Sequence, residues 1–172
     1  MSKKTLWVAR TGVLLALLVV LQAATKNAGQ IVTGSCVNAV LAAAALFCGF
    51  SSGAVIALVS PFLAFLLGIG PKLIQIVPAI ALGNLALVGI LCAIKGEKIR
   101  MRVVRWMAAS VGKFIVLYLL VVQLLVRILP LNDKQITTFT AMFSWPQLLT
   151  ALIGSGILLL LEPVLKKAIH KS

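Results

Sequence analysis

The chain has 172 residues, of which 62% are hydrophobic and 11% charged, a composition that excludes a water-soluble globular domain. Sixteen Lys and Arg stand against three Asp and Glu, a formal net charge of +13; on a soluble protein this points to nucleic acid, but here the basic residues must first be placed relative to a bilayer. The only acids are Glu97, Asp133 and Glu162 and the only histidine is His170. Carboxylate-pair, triad and His-cluster metal chemistry are therefore nearly excluded, and neither an enzyme nor a cofactor or metal is expected.

A bilayer core of about 30 Å takes roughly 20 apolar residues per helix. Runs near 6–25, 31–49, 53–69, 73–94, 103–129 and 138–165 predict six transmembrane helices in one all-α domain. The first run follows Met1-Ser2-Lys3-Lys4 and continues through Gln22 without a small-x-small exit, which predicts a span rather than a cleaved signal peptide. Along it Ala9, Ala16 and Ala23 recur every seven residues and Gly12 precedes Ala16 by four. Such a strip of small side chains lets another helix approach closely, or serves packing within the chain. Turn-forming or charged stretches at 26–30, 49–53, 68–72, 95–105 and 130–134 separate the runs, and Ser60-Pro61 predicts a kink in the third. Cys36, Cys48 and Cys92, odd in number and set in apolar runs, read as packed thiols.

Short cytoplasmic loops hold the Lys and Arg excess. With the N-terminus inside, Lys3, Lys4, Arg10, Lys95, Lys98, Arg100, Arg102, Arg105, Lys166, Lys167 and Lys171 are cytoplasmic, and only Lys26, Lys72, Arg127 and Lys134 lie outside. Both termini are thus expected in the cytoplasm, and the positive charge reads mostly as a topology signal. Trp7 and Trp106 are placed as anchors at the inner interface.

Polar side chains inside hydrocarbon are costly and mark candidate sites. On this topology Gln22, Asn38, Gln75, Asn84, Lys113, Gln123 and the segment Ser144-Trp145-Pro146-Gln147 favour the outer half, which predicts an outward-open pocket capped by residues 26–35. Lys113 is the sharpest candidate. An ammonium at mid-membrane costs about 2.5–3.5 kcal/mol, and no carboxylate of this chain lies at its depth. Its partner is therefore a neutral acceptor such as Asn84, or a ligand. Snorkelling is disfavoured because the nearest interface is roughly 15 Å away at 1.5 Å per residue. Asn84 reads equally as helix glue or ligand contact. Trp145 reads equally as a belt residue or as a stacking surface beside Gln147, with Thr150 and Gly154 following on the face of Gln147. Asn38 and Gln75 are further candidates, and Glu162 with Lys166 forms an expected i,i+4 pair at the inner surface. Gly112-Lys113 is followed by Phe114 and lacks the first glycine of a P-loop, so the chain carries no ATPase motif.

Over its full length the chain resembles the substrate-binding S components of energy-coupling factor (ECF) transporters. The likeness rests on length, six spans, the strip Ala9, Gly12, Ala16, the Ala39-Val40-Leu41 segment after Asn38, Ala81-Leu82-Gly83-Asn84 and Phe143-Ser144-Trp145-Pro146-Gln147. It implies a prokaryotic cell-membrane protein that captures a vitamin or related micronutrient from outside. It also implies a transmembrane T component, docked on the small-residue strip, and two cytoplasmic ATPases that drive release inward. Ligand contacts are implied from the outer halves of helices 4 to 6 and the loop after helix 1. The residues favour a planar heterocycle bearing acceptors or partial negative charge, bonded to Lys113 and stacked on Trp145. A stand-alone secondary transporter or channel, with Lys113 as its coupling or selectivity charge, and a structural subunit with the polar groups as glue are the rival expectations.

Overall fold

The computed structural model describes residues 2–169, and every regular element among them is helical. Helix α1, Lys3–Thr25, opens on Ser2, whose Oγ accepts from the Thr5 N–H. A 3-10 turn, Lys26–Ala28, and Gly29 lead into α2, Gln30–Ala43, which runs on as a π-helical stretch, Ala44–Cys48. Gly49 alone separates this from α3, Phe50–Leu66. Gly29 and Gly49 have φ of 90° and 84°, conformations that L side chains rarely adopt, and so allow reversals this tight. A second 3-10 turn, Ile74–Ile76, starts α4, Val77–Ala93. Helix α5, Ile99–Leu117, continues through a π-helical stretch, Tyr118–Leu125, and a last turn, Val126–Ile128. An Asn132–Gln135 capping box opens α6, Asp133–Met142, and α7 covers Trp145–Ile169.

Five helical stretches are long and apolar enough to cross a membrane: Lys3–Ala28, Gln30–Cys48, Ile74–Ala93, Ile99–Ile128 and Asp133–Val164. Helix α3 is apolar but shorter, at 17 residues. The outside of the bundle is correspondingly apolar, with Val13 and Leu66 exposed at 67% and 77%, a surface that water would not tolerate over such an area.

Three boundaries differ from the hydropathy reading. The third helix starts and ends three residues earlier than 53–69. Gly53 lies within it, packed so closely that an added Cβ would sit 2.6 Å from Val88 Cγ1. It stops at a Schellman motif, in which Gly68 at φ 67° donates to Phe65 O and Ile69 donates to Ala64 O. The fifth helix begins at Ile99 rather than 103, which puts Arg100 and Arg102 on the helix instead of in a loop. The run 138–165 is two helices, because Pro146 has no N–H to give to the carbonyl of Met142 and the ladder breaks at Phe143-Ser144.

The helices close a cycle of neighbours: α1 packs on α2 and α3, α3 on α4, α4 on α5, α5 on α7 and α7 on α2, with α2 also touching α4. One apolar core is shared by α1 to α5 and α7 and includes Leu18, Leu41, Leu87 and Ala109. A second, with Ile76, Leu117, Val121 and Phe139, joins the start of α4 to the π-helical part of α5 and to α6. Lys113 lies on α5 between Ala109 of the first and Leu117 of the second, at the junction of two dry clusters.

Candidate functional site

Five buried residues of α5 and its π-helical extension recur every four positions, Arg105, Ala109, Lys113, Leu117 and Val121, with Ser110 buried beside them. This spacing makes one face, so the fold drives Lys113 inward along with its apolar neighbours. It is 4% exposed. Its Nζ donates to Asn38 Oδ1 at 2.6 Å and to Asn84 Oδ1 at 2.7 Å, which ties α5 to α2 and α4. Hydrogen bonds to a charged group contribute about 1.5–3 kcal/mol each, and here they replace the hydration that burial removes. From Asn38 the network reaches α7, with Nδ2 donating to Thr150 Oγ1 at 3.4 Å and the Thr150 hydroxyl donating to Gln147 O.

Close approach of α2 and α7 makes this reach possible. A Cβ on Gly34 would meet Thr150 at 2.9 Å, and one on Gly154 would meet Ser35 O at 2.2 Å and Asn38 Cβ at 2.7 Å. The obstacle at Gly154 is largely backbone, which cannot rotate away. Gly154→Ala is therefore expected to destabilise the fold by about 1–3 kcal/mol, as overpacking does, read as a lower melting midpoint; an unchanged midpoint would mean that α2 and α7 separate freely.

A cavity of about 390 Å³ runs from the exposed Lys26 to the buried Lys113. The α1–α2 connection lines one side through Asn27 and Gly29, and the loop 68–71, delivered by the Schellman stop of α3, lines another. Pro146 shapes the rim. The Met142 carbonyl, deprived of a helical donor, accepts from Gln30 Nε2 at 2.6 Å and from Gln147 Nε2 at 3.2 Å, so the start of α2 is fastened to the break between α6 and α7.

Of the candidates read from the sequence, Asn38, Asn84, Lys113 and Gln147 come together around this cavity. Gln75 does not: it is exposed on the 3-10 turn, whose buried residue is Ile76. Trp145 does not either, being 64% exposed. Two residues before Gln147, it points roughly 200° away from the inward face of α7 at 100° per residue. Its indole is thus not part of the cavity lining, which leaves the reading of Trp145 as a belt residue. Trp106, expected as an interface anchor, is half-buried and donates from its indole to Leu152 O at 2.9 Å.

Helix α3 supplies more of the wall than the pattern of polar residues indicates, and α1 adds Gln22. Gln22 and Ser60 both line the cavity and are buried, and Gln22 Oε1 and Ser60 Oγ have no hydrogen-bond partner among the described residues. The usable signal for Gln22 was its spacing, four and eleven residues after Leu18 and Thr11, the other buried positions of α1.

Elsewhere two features bear on function. Ala9, Gly12 and Ala16 are exposed, and a Cβ on Gly12 would meet nothing within 4 Å. On the opposite side of the helix, Thr11 Oγ1 lies 2.8 Å from Ser52 Oγ and holds α1 to α3. At the far end from the cavity mouth, Glu162 Oε2 accepts from Arg105 at 2.7 Å and from Arg102 at 3.1 Å, and Arg102 also donates to Leu159 O. Arg102, from the unexpected first turn of α5, and Arg105 are thus observed partners of Glu162; the side chain of Lys166, its expected partner, lies outside the described residues. No protein-family model matches the chain, and no curated protein or solved structure is similar to it at a significant level.

Proposed function

We propose that the chain is the substrate-binding subunit of an ECF-type importer in a prokaryotic cell membrane, spanning the bilayer six times with both termini in the cytoplasm. The observation that carries this reading is the cavity, which ends on a buried lysine held by two asparagines and has no acidic residue in its lining. A site of this kind suits binding of a small molecule. The proposed cargo is a small water-soluble micronutrient, captured through the mouth at Lys26 from the exterior. Release inward is assigned to a T component and two ATPases, with no role for nucleic acid.

Topology is tested by replacing Cys36, Cys48 and Cys92 and labelling single cysteines from outside intact cells. Position 27 is expected to react and position 96 to be protected; the reverse pattern overturns the orientation.

The strip on α1 supports the partner assignment, because small residues that nothing among the described residues covers permit close approach by another helix. Gly12→Leu and Ala16→Leu are expected to leave ligand binding intact while abolishing assembly and ATP-dependent uptake. Space around Gly12 makes this a clean test, since added bulk there disturbs no internal contact. Normal assembly and uptake by both variants would remove helix 1 as the docking surface, and uptake by the chain alone would identify a stand-alone transporter.

A further inference from the structure

The bonding of the Lys113 cluster restricts what the cavity can hold. An ammonium has three N–H donors, and two are taken by Asn38 Oδ1 and Asn84 Oδ1. Because Asn84 turns its oxygen to the lysine, its amide nitrogen is directed elsewhere, and that nitrogen has no partner among the described residues. What Lys113 and Asn84 have left to offer is therefore donors alone. A charge count points the same way. Lys26 and Lys113 line the cavity, and Glu97, Asp133 and Glu162 do not. Lys26 is exposed at the mouth, whereas Lys113 is buried, so the cavity's inner end carries one cation without a counter-charge.

We propose, building on the binding-subunit reading, that the cavity takes a small monocarboxylate inserted head first. The carboxylate accepts from the third N–H of Lys113 and from Asn84 Nδ2, and an apolar body lies along Phe65, Ile69 and Ile80, which line the same space. An acceptor-only head suits the two donors left at the inner end, while Gln22 Oε1 and Ser60 Oγ elsewhere in the lining remain for polar groups on the body of the ligand. A carboxamide of identical shape brings an NH2 group that meets donors on one side and loses the charge on the other, which is the basis of discrimination. A phosphate monoester carries more negative charge than one buried cation offsets.

Matched pairs test the head group directly. The purified full chain in lipid nanodiscs is titrated at millimolar concentrations with benzoate and benzamide, cyclohexanecarboxylate and cyclohexanecarboxamide, and hexanoate and hexanamide, with inorganic phosphate as a head-only control. At least one acid is expected to raise the melting midpoint and to bind about tenfold or more tightly than its amide. Two variants are expected to abolish the preference: Lys113→Met, which removes the cation, and Asn84→Asp, which supplies the missing counter-charge from within the chain. The second guards against misfolding of the first. Equal binding of acid and amide, tighter binding of phosphate than of any acid, no binding by any acid, or an acid preference that survives in both folded variants would each overturn the carboxylate assignment. Equal binding of acid and amide leaves the binding-subunit reading standing. Uptake by the chain alone does the converse, removing that reading while the carboxylate preference stands.

Discussion

Lys113→Ala is expected to weaken ligand binding by more than about tenfold, equivalent to about 1.4 kcal/mol, and Lys113→Met is expected to bind no better while folding at least as well as the native chain. The Met side chain keeps length and removes a buried charge. It also strands Asn38 Oδ1 and Asn84 Oδ1, each a loss of about 1–3 kcal/mol when a buried acceptor goes unsatisfied, so the two effects oppose each other in stability but not in binding. Replacing all three groups resolves them. The combination Lys113→Met, Asn38→Leu and Asn84→Leu leaves nothing polar at the junction of the two cores. It is expected to melt above the native protein, as apolar replacements of buried polar clusters often do, and to bind nothing. If the triple variant melts lower, the cluster serves as structural glue; if the Met variant keeps its affinity, the ligand does not touch Lys113.

Glu162→Gln is expected to produce the largest loss of stability, about 3–5 kcal/mol, the usual result of removing one partner from a buried ion pair. Glu162 is 2% exposed and receives both Arg102 and Arg105, so a neutral amide leaves two guanidinium groups without their carboxylate. The measurement is the melting midpoint in nanodiscs together with the affinity of the folded fraction. The midpoint falls and the affinity holds, because the ion cluster and the cavity lie at opposite ends of α5. Adding Arg102→Met and Arg105→Met is expected to recover most of the midpoint. A Glu162→Gln variant as stable as the native chain would show that the arginines reach water or lipid headgroups instead.

The sequence exposed these features unequally. Apolar run lengths located the helices because the runs are long and Gly49, Gly68 and Pro130 punctuate them, although α3 is shorter than the five stretches long enough to cross a membrane. Lys113 was legible as a buried cation with a neutral partner, since its distance from either helix end and the scarcity of acids are both written in the chain. Asn84 as that partner follows from depth; Asn38 as the second needs the tertiary contact of α2 with α5 and α7. Trp145 was misplaced for a local reason. Two residues apart on one helix, Trp145 and Gln147 face roughly 200° away from each other, so with Gln147 at the cavity the indole turns outward. Arg102 as a partner of Glu162 depended on α5 starting four residues early, and the contribution of α3 to the cavity wall depended on packing that no periodicity encodes.

The two polar clusters on α5 also differ in when their partners come into existence. Asn38 and Asn84 precede Lys113 by 75 and 29 residues, so both are already in place when the ribosome reaches the lysine. Glu162 follows Arg105 by 57 residues, which at about 5–20 residues per second is a delay of roughly 3–11 s. During that interval α5 has one end ready to pack and the other still carrying two unpaired arginines. Completion of the arginine cluster therefore waits for α7: a nascent chain halted before Glu162 already holds α5 through Lys113 and its packing on α4, yet presents to the quality-control machinery of the membrane a guanidinium pair that the folded protein conceals.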